Sequence, residues 1–327
     1  MNMRRRNMLG FTGAAGLSWM TGMGAARAQQ RRTLRMVVPY EPGGTPDQIA
    51  RAIGPLVQDK MEMNYVVENM AGASGMIGLR YVAKSSDPST LVLASNISVA
   101  LPLFYKAIDF DVINGFTPIA LVGSTTLVLV VSKDLPANNM QEFISWAKPR
   151  KDLFYPSSGN GTHFHLCMEL LKQSVGIEIE HIAYKGYAQA VNGFLGGQTS
   201  VMFMTIQMAE PMRRAGRLKI LGAMLRERNA SFPDIPTFSE QGIKDFDIDI
   251  ADPVKFYVLG TPGMPSVLVD KYRMAISAAL NDAAVKESLT KGGLTLKWGT
   301  PAEVLAMERA ESALWTRVTR NSNIKPD

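Results

Sequence analysis

Four short stretches of this sequence combine glycine with hydroxyl or amino side chains in a way that suits the holding of an anion. They are Gly43-Gly44-Thr45, Ala73-Ser74-Gly75, Ser158-Gly159-Asn160-Gly161-Thr162 and Lys185-Gly186-Tyr187. Each opens into a helical pattern. A helix start exposes amide hydrogens with no acceptor in the helix and carries about half a positive charge. Glycine lets a backbone approach such a guest closely. One glycine-rich turn is usually only a tight connection. Four of them, two in each of two expected domains, could grip a carboxylate across a cleft.

Catalytic arrangements are harder to assemble. His163 and His165 stand two apart, which on a helix turns them to different faces, and His181 is alone on a strand; a zinc pair prefers a spacing of four. Gly72-Ala73-Ser74-Gly75 lacks the second spacer of a nucleophile elbow. Gly72, Gly75 and Gly78 miss the dinucleotide spacing. Asp245, Asp247, Asp249 and Asp252 alternate with Phe246, Ile248 and Ile250, which reads as a strand with one polar face rather than a cation site. Cys167 is the only cysteine, so no internal disulfide forms, and its apolar helical neighbours mark a buried thiol. The expectation is a binding protein without cofactor or metal, not an enzyme.

The elements that would carry these turns follow from periodicity. Strands are expected at 34–39, 65–69 and 90–94, with helices at 47–60 and 76–84 between them: a parallel sheet covered by helices. The apolar run 116–131 reads as two strands broken at Gly123-Ser124, where the chain crosses to a second unit. That unit has helices at 140–146, 163–173 and 187–195, and strands at 153–155, 179–183, 200–204 and 219–224. An extended stretch at 246–260 recrosses. A helix pair at 266–289 and an amphipathic helix at 301–319 close the chain.

The chain has 327 residues, 46% hydrophobic and 20% charged, which suits two globular domains. Residues 1–28 read as an export signal. Arg4, Arg5 and Arg6 precede a weakly apolar Gly/Ala-rich stretch, and Ala26-Arg27-Ala28 offers a cleavage site, so the mature protein is expected in the periplasm. Arg5-Arg6-Asn7-Met8-Leu9 has a twin-arginine character. Removing Arg4, Arg5, Arg6 and Arg27, with no acid lost, lowers the net charge from +6 to +2. That balance gives no reason to expect nucleic-acid or membrane-surface binding.

Tyr40-Glu41-Pro42-Gly43-Gly44-Thr45-Pro46-Asp47 resembles the opening motif of the tripartite tricarboxylate transporter receptors, also called Bug receptors. Val67-Glu68-Asn69 with the 72–78 glycines, Ser157 to Thr162 with His165, Tyr184-Lys185-Gly186 with Gly196-Gly197-Gln198, Phe232 to Thr237, and Ile324-Lys325-Pro326 agree in order and spacing. The resemblance implies a two-domain α/β periplasmic binding protein, a Venus flytrap with two crossover strands. Domain 1 would be 29–123 plus 251–327 and domain 2 would be 124–250. It implies a monomer that hands a small carboxylate to a membrane permease. By position, the ligand would meet Tyr40, Glu41, Gly43, Gly44, Asp47, Ser74 and Ser98 from the first domain. Ser158, Thr162, His165, Tyr184, Lys185, Gly186 and Met204 would come from the second.

Three departures bear on the ligand. Position 41 is usually small or apolar in that family, and Glu41 would repel a second carboxylate unless it meets a cation or amide, or is a solvated loop residue. The positions of Ser200 and Met204 often carry an acid in that family; Met204 and Thr205 make that wall more apolar here and point to a bulkier or aromatic solute. Ala183 replaces a customary proline. Two other functions compete: a periplasmic sensor feeding a histidine kinase, and a secreted hydrolase, which would need a nucleophile–base pair.

Overall fold

The computed structural model describes residues 31–243 and 254–320. The expected leader, the Asp245–Asp252 alternation, the start of the recrossing stretch and the Ile324-Lys325-Pro326 motif lie outside them. Valine- and leucine-rich runs form the first three strands, β1 (Thr33–Val38), β2 (Asn64–Asn69) and β3 (Thr90–Ser95). They pair in parallel with β1 in the centre. Helices α1 (Thr45–Met61) and α2 (Met76–Ala83) connect them. Pro46 and the acidic Asp47 favour the start of α1, and Glu62, left-handed at φ 53°, stops it.

The sheet is mixed rather than purely parallel. Three further strands join it, β4 (Thr117–Thr125), β10 (Val254–Gly260) and β11 (Leu294–Gly299), giving the order β11-β4-β10-β3-β1-β2. Each of these is antiparallel to its neighbours, so this half of the sheet departs from the parallel pattern expected from the sequence.

The strand is not broken at Gly123-Ser124 as the sequence suggested. β4 runs through both residues, and only Thr126 separates it from β5 (Leu127–Ser132). Gly123 answers a different need: a Cβ there would stand 2.6 Å from the carbonyl oxygen of Thr295 on β11. β5 is the centre of a second, antiparallel sheet, β8-β5-β9, with β8 at Val201–Thr205 and β9 at Leu218–Ala223. Beside it lies the parallel pair β6 (Phe154–Ser157) and β7 (Glu180–Ala183).

Helices α3 (Met140–Ala147), α4 (His163–Val175), α5 (Tyr187–Leu195) and α6 (Ile206–Arg214) cover this second lobe. The sequence reading had no α6, since Pro211 interrupts its pattern, and no β11, a sheet-edge strand. Helices α7 (Ser266–Asn281), α8 (Ala283–Lys291) and α9 (Pro301–Arg320) return to the first lobe. α9 also reaches the second lobe, where Gln173 Nε2 on α4 donates to the Val318 carbonyl. Its Glu311 forms a buried ion pair with Lys255 at 2.7 Å.

Gly123→Ala is expected to destabilise the protein by about 1–3 kcal/mol, because the crowding atom is backbone and cannot rotate away. Thermal unfolding checks this; an unchanged midpoint would remove close strand approach as the reason for this glycine.

Candidate functional site

The turn between β6 and α4 is held from behind, so its polar groups are set before any guest arrives. Ser157 Oγ donates to the Gly159 carbonyl at 2.9 Å and accepts the Gly159 N–H at 3.1 Å. Thr162 Oγ1 donates to the same carbonyl at 2.9 Å. His165 Nδ1 accepts the Gly161 N–H at 3.0 Å. Gly161 must be glycine twice over: its φ is +72°, and the Phe104 ring of the first lobe lies 2.5 Å from a Cβ built there.

Behind the turn the aromatic rings form a column. His165 stacks on His181 with centroids 3.9 Å apart, and His181 stacks on Tyr155 at 4.9 Å. The Tyr155 hydroxyl donates to Glu169, which also pairs with Lys172. Ser157 Oγ and His181 Nε2 are 2.6 Å apart. The direction of that bond follows the tautomer of the imidazole.

Across the lobes, the Ala73-Ser74-Gly75 turn meets this one. Ala73 and Ser74 are both left-handed, at φ 46° and 54°, a strained conformation for non-glycine residues. Ser74 Oγ donates to the Asn160 carbonyl at 2.7 Å and lies 3.1 Å from Tyr105 OH. A second link is buried nearby. His163 Nε2 donates to Asn96 Oδ1 at 2.8 Å, and that oxygen also accepts the Lys255 N–H.

The β1–α1 turn is organised from inside by Asp47, 4% exposed. Its carboxylate accepts from Gly43 N–H, Asn69 Nδ2 and Arg51 Nε, each at 3.0 Å. Burial raises its pKa, but these partners outweigh that and leave it below the usual carboxylate value. Tyr40 places its hydroxyl 2.7 Å from Ser95 Oγ, and burial raises its pKa against the smaller opposing influence of Ser95 and Ser98. Ser98 Oγ is itself buried and has no well-formed hydrogen-bond partner among the described residues. Such a hydroxyl is a donor in waiting.

Glu41 and Gly186 come together: the Glu41 carboxylate packs on Gly186, which precedes α5. Gly43, Gly44 and Lys185 are exposed and Ser158 is half-buried. Tyr184 runs back along α5, its hydroxyl donating to Gln198 at 2.6 Å. Met204 is fully buried on β8, opposite Val128 and packed with Phe194 and Ala190 of α5. Ser95, Tyr105 and Asn96 were absent from the sequence-derived set. Ser95 ends β3 and Asn96 follows it, as Ser157 ends β6 and Ser158 follows, and that parallel was their only signal. A surface cavity of about 680 Å³ on α9, lined by Arg309, Thr316, Arg317 and Arg320, involves none of the four turns.

The family model described as the tripartite tricarboxylate transporter family receptor matches residues 49–324. The chain belongs to that family, whose members are periplasmic solute-binding receptors rather than enzymes. Protein BugT of Bordetella pertussis is 31% identical over 299 residues, 90% of each chain. Two solved structures from Rhodopseudomonas palustris share the fold. One, with adipate, has a TM-score of 0.82 at 28% identity, covering 90% of this chain and 99% of that one. The other, MatC with bound malate, has a TM-score of 0.79 at 26% identity, covering 88% and 98%. The two-domain binding-protein architecture expected from the sequence is therefore the one this chain has.

The histidines make stability depend on pH. Burial lowers the pKa values of His163 and His165 to about 3 and of His181 to about 4, with Lys255, His181 and Lys172 adding repulsion. Below about pH 6.5 the unfolded chain takes up protons that the folded one refuses, so stability falls as pH drops from 6.5 towards 4. Glu308, raised by burial to about 8, acts with the opposite sign. His165→Asn keeps an acceptor for Gly161 but cannot titrate. Its acid slope should be shallower by about 1.4 kcal/mol per pH unit, the weight of one proton. Melting temperatures between pH 7 and 4.5 test this; parallel slopes would contradict it.

Proposed function

We propose that the protein is exported, by a twin-arginine signal at 1–28 cleaved after about Ala28, and works as a monomeric periplasmic receptor. It captures a small carboxylate-bearing solute, including aromatic or amide-bearing acids, between 29–123 plus 251–327 and 124–250. It then delivers that solute to the membrane permease of a tripartite tricarboxylate-type transporter. The reading is carried above all by the meeting of the Ser74 turn with the Asn160 turn beside the Phe104–Gly161 contact. Two loops that each open a helix converge there.

The buried Ser98 hydroxyl next to Tyr40 adds a donor on the first-lobe wall. Relatives of the same family support the solute class, since their structures hold malate and adipate. Asp47, Thr162 and His165 serve the site indirectly, as the groups that shape its two turns. Gly43, Gly44, Ser158, Lys185 and Gly186 are assigned to its walls.

A thermal-shift screen of aliphatic and aromatic acids tests the reading. A true ligand at a hundred times its Kd adds about 2.7 kcal/mol to stability, a rise of several degrees that grows with concentration. A screen in which no acid moves the midpoint would defeat the carboxylate class. With a ligand in hand, Ser98→Ala should weaken binding about tenfold through the lost hydrogen bond to a charged group. It should change the stability of the free protein by less than about 1 kcal/mol, because the hydroxyl's contact with Tyr40 is not a well-formed hydrogen bond.

A further inference from the structure

Glu41 belongs to the β1–α1 turn of the first lobe, yet its carboxylate lies against the second. The carboxyl carbon and Oε2 are each 2.7 Å from the position a Cβ would take on Gly186, with Oε1 packed there too. Gly186 precedes α5, a nine-residue helix without a side-chain cap. Only a residue lacking a side chain lets Glu41 rest at this end of the helix. A negative group is favoured there by the unpaired amides and the helix dipole.

The geometry points to Glu41 as the specificity-determining residue of the site: the protein places its own carboxylate where a dicarboxylate solute would put its second one. This rests on the receptor reading above and narrows its solute class. A solute held by one carboxylate, with an ammonium or amide N–H at the far end, meets Glu41 as an acceptor. A dicarboxylate of the same length meets it as a like charge a few ångströms away. Glu41 is exposed, so solvent screens part of this repulsion and the discrimination is expected at about tenfold.

The test uses the mature protein and its Glu41→Gln and Glu41→Lys variants, with folding checked by circular dichroism. Affinities are measured by calorimetry for straight-chain dicarboxylates of three to eight carbons and for the ω-amino monocarboxylate of each length. The wild type should prefer the amino acid of a pair by about tenfold. Glu41→Gln should bring the ratio near one, and Glu41→Lys should reverse it. Ratios that stay the same in all three proteins overturn the role of Glu41 while leaving the receptor reading standing. If no acid of either series, nor any in the wider screen, binds any of the three, the receptor reading falls and takes this one with it.

Discussion

A loop that is to bind an anion through its backbone must keep its amide hydrogens turned outward and must not collapse onto itself. Here the amides of Gly43, Gly159 and Gly161 already have acceptors within the protein, and the turns are held open from behind. Ser157, Thr162 and His165 take up the inward-facing groups of the β6–α4 turn, and Asp47 does the same for the β1–α1 turn. These side chains are buried or nearly so, where each hydrogen bond is little weakened by water. His165 can do this only as a neutral ring, which is why its burial and the nearby His181 and Lys172 matter beyond packing.

The Ser157–His181 pair belongs to the same construction. Ser157 Oγ sits 2.9 Å from the Gly159 carbonyl and 2.6 Å from His181 Nε2, and the direction of the second bond follows the tautomer of the ring. In either tautomer Ser157 accepts the Gly159 N–H and fixes the turn. Burial, which lowers the His181 pKa to about 4, keeps the ring neutral near pH 7.

Much of the fold could be read from the sequence because the strands before the turns are short runs of Val, Leu and Met with glycine clusters after them. β1, β2, β3 and the helices α1, α2, α4 and α5 follow that grammar. Gly123 was misread as a break because a glycine that admits a neighbouring strand looks the same in sequence as one that ends its own. α6 was hidden by Pro211. For the site, residue type located the turns but not the direction each side chain takes within them. Thr162 and His165 face back into the protein, and the contact of Glu41 with Gly186 joins residues 145 positions apart, which no local pattern encodes.

Between β4 and β5 the chain passes from one sheet to the other with Thr126 alone outside a strand. A long linker would let the halves tumble in many directions. A single residue between two sheets leaves only a pair of soft backbone torsions to rotate, and Asn229 Nδ2 reaches Thr126 Oγ1 at 3.4 Å. Any rotation of one sheet against the other through this strand has only those torsions to use.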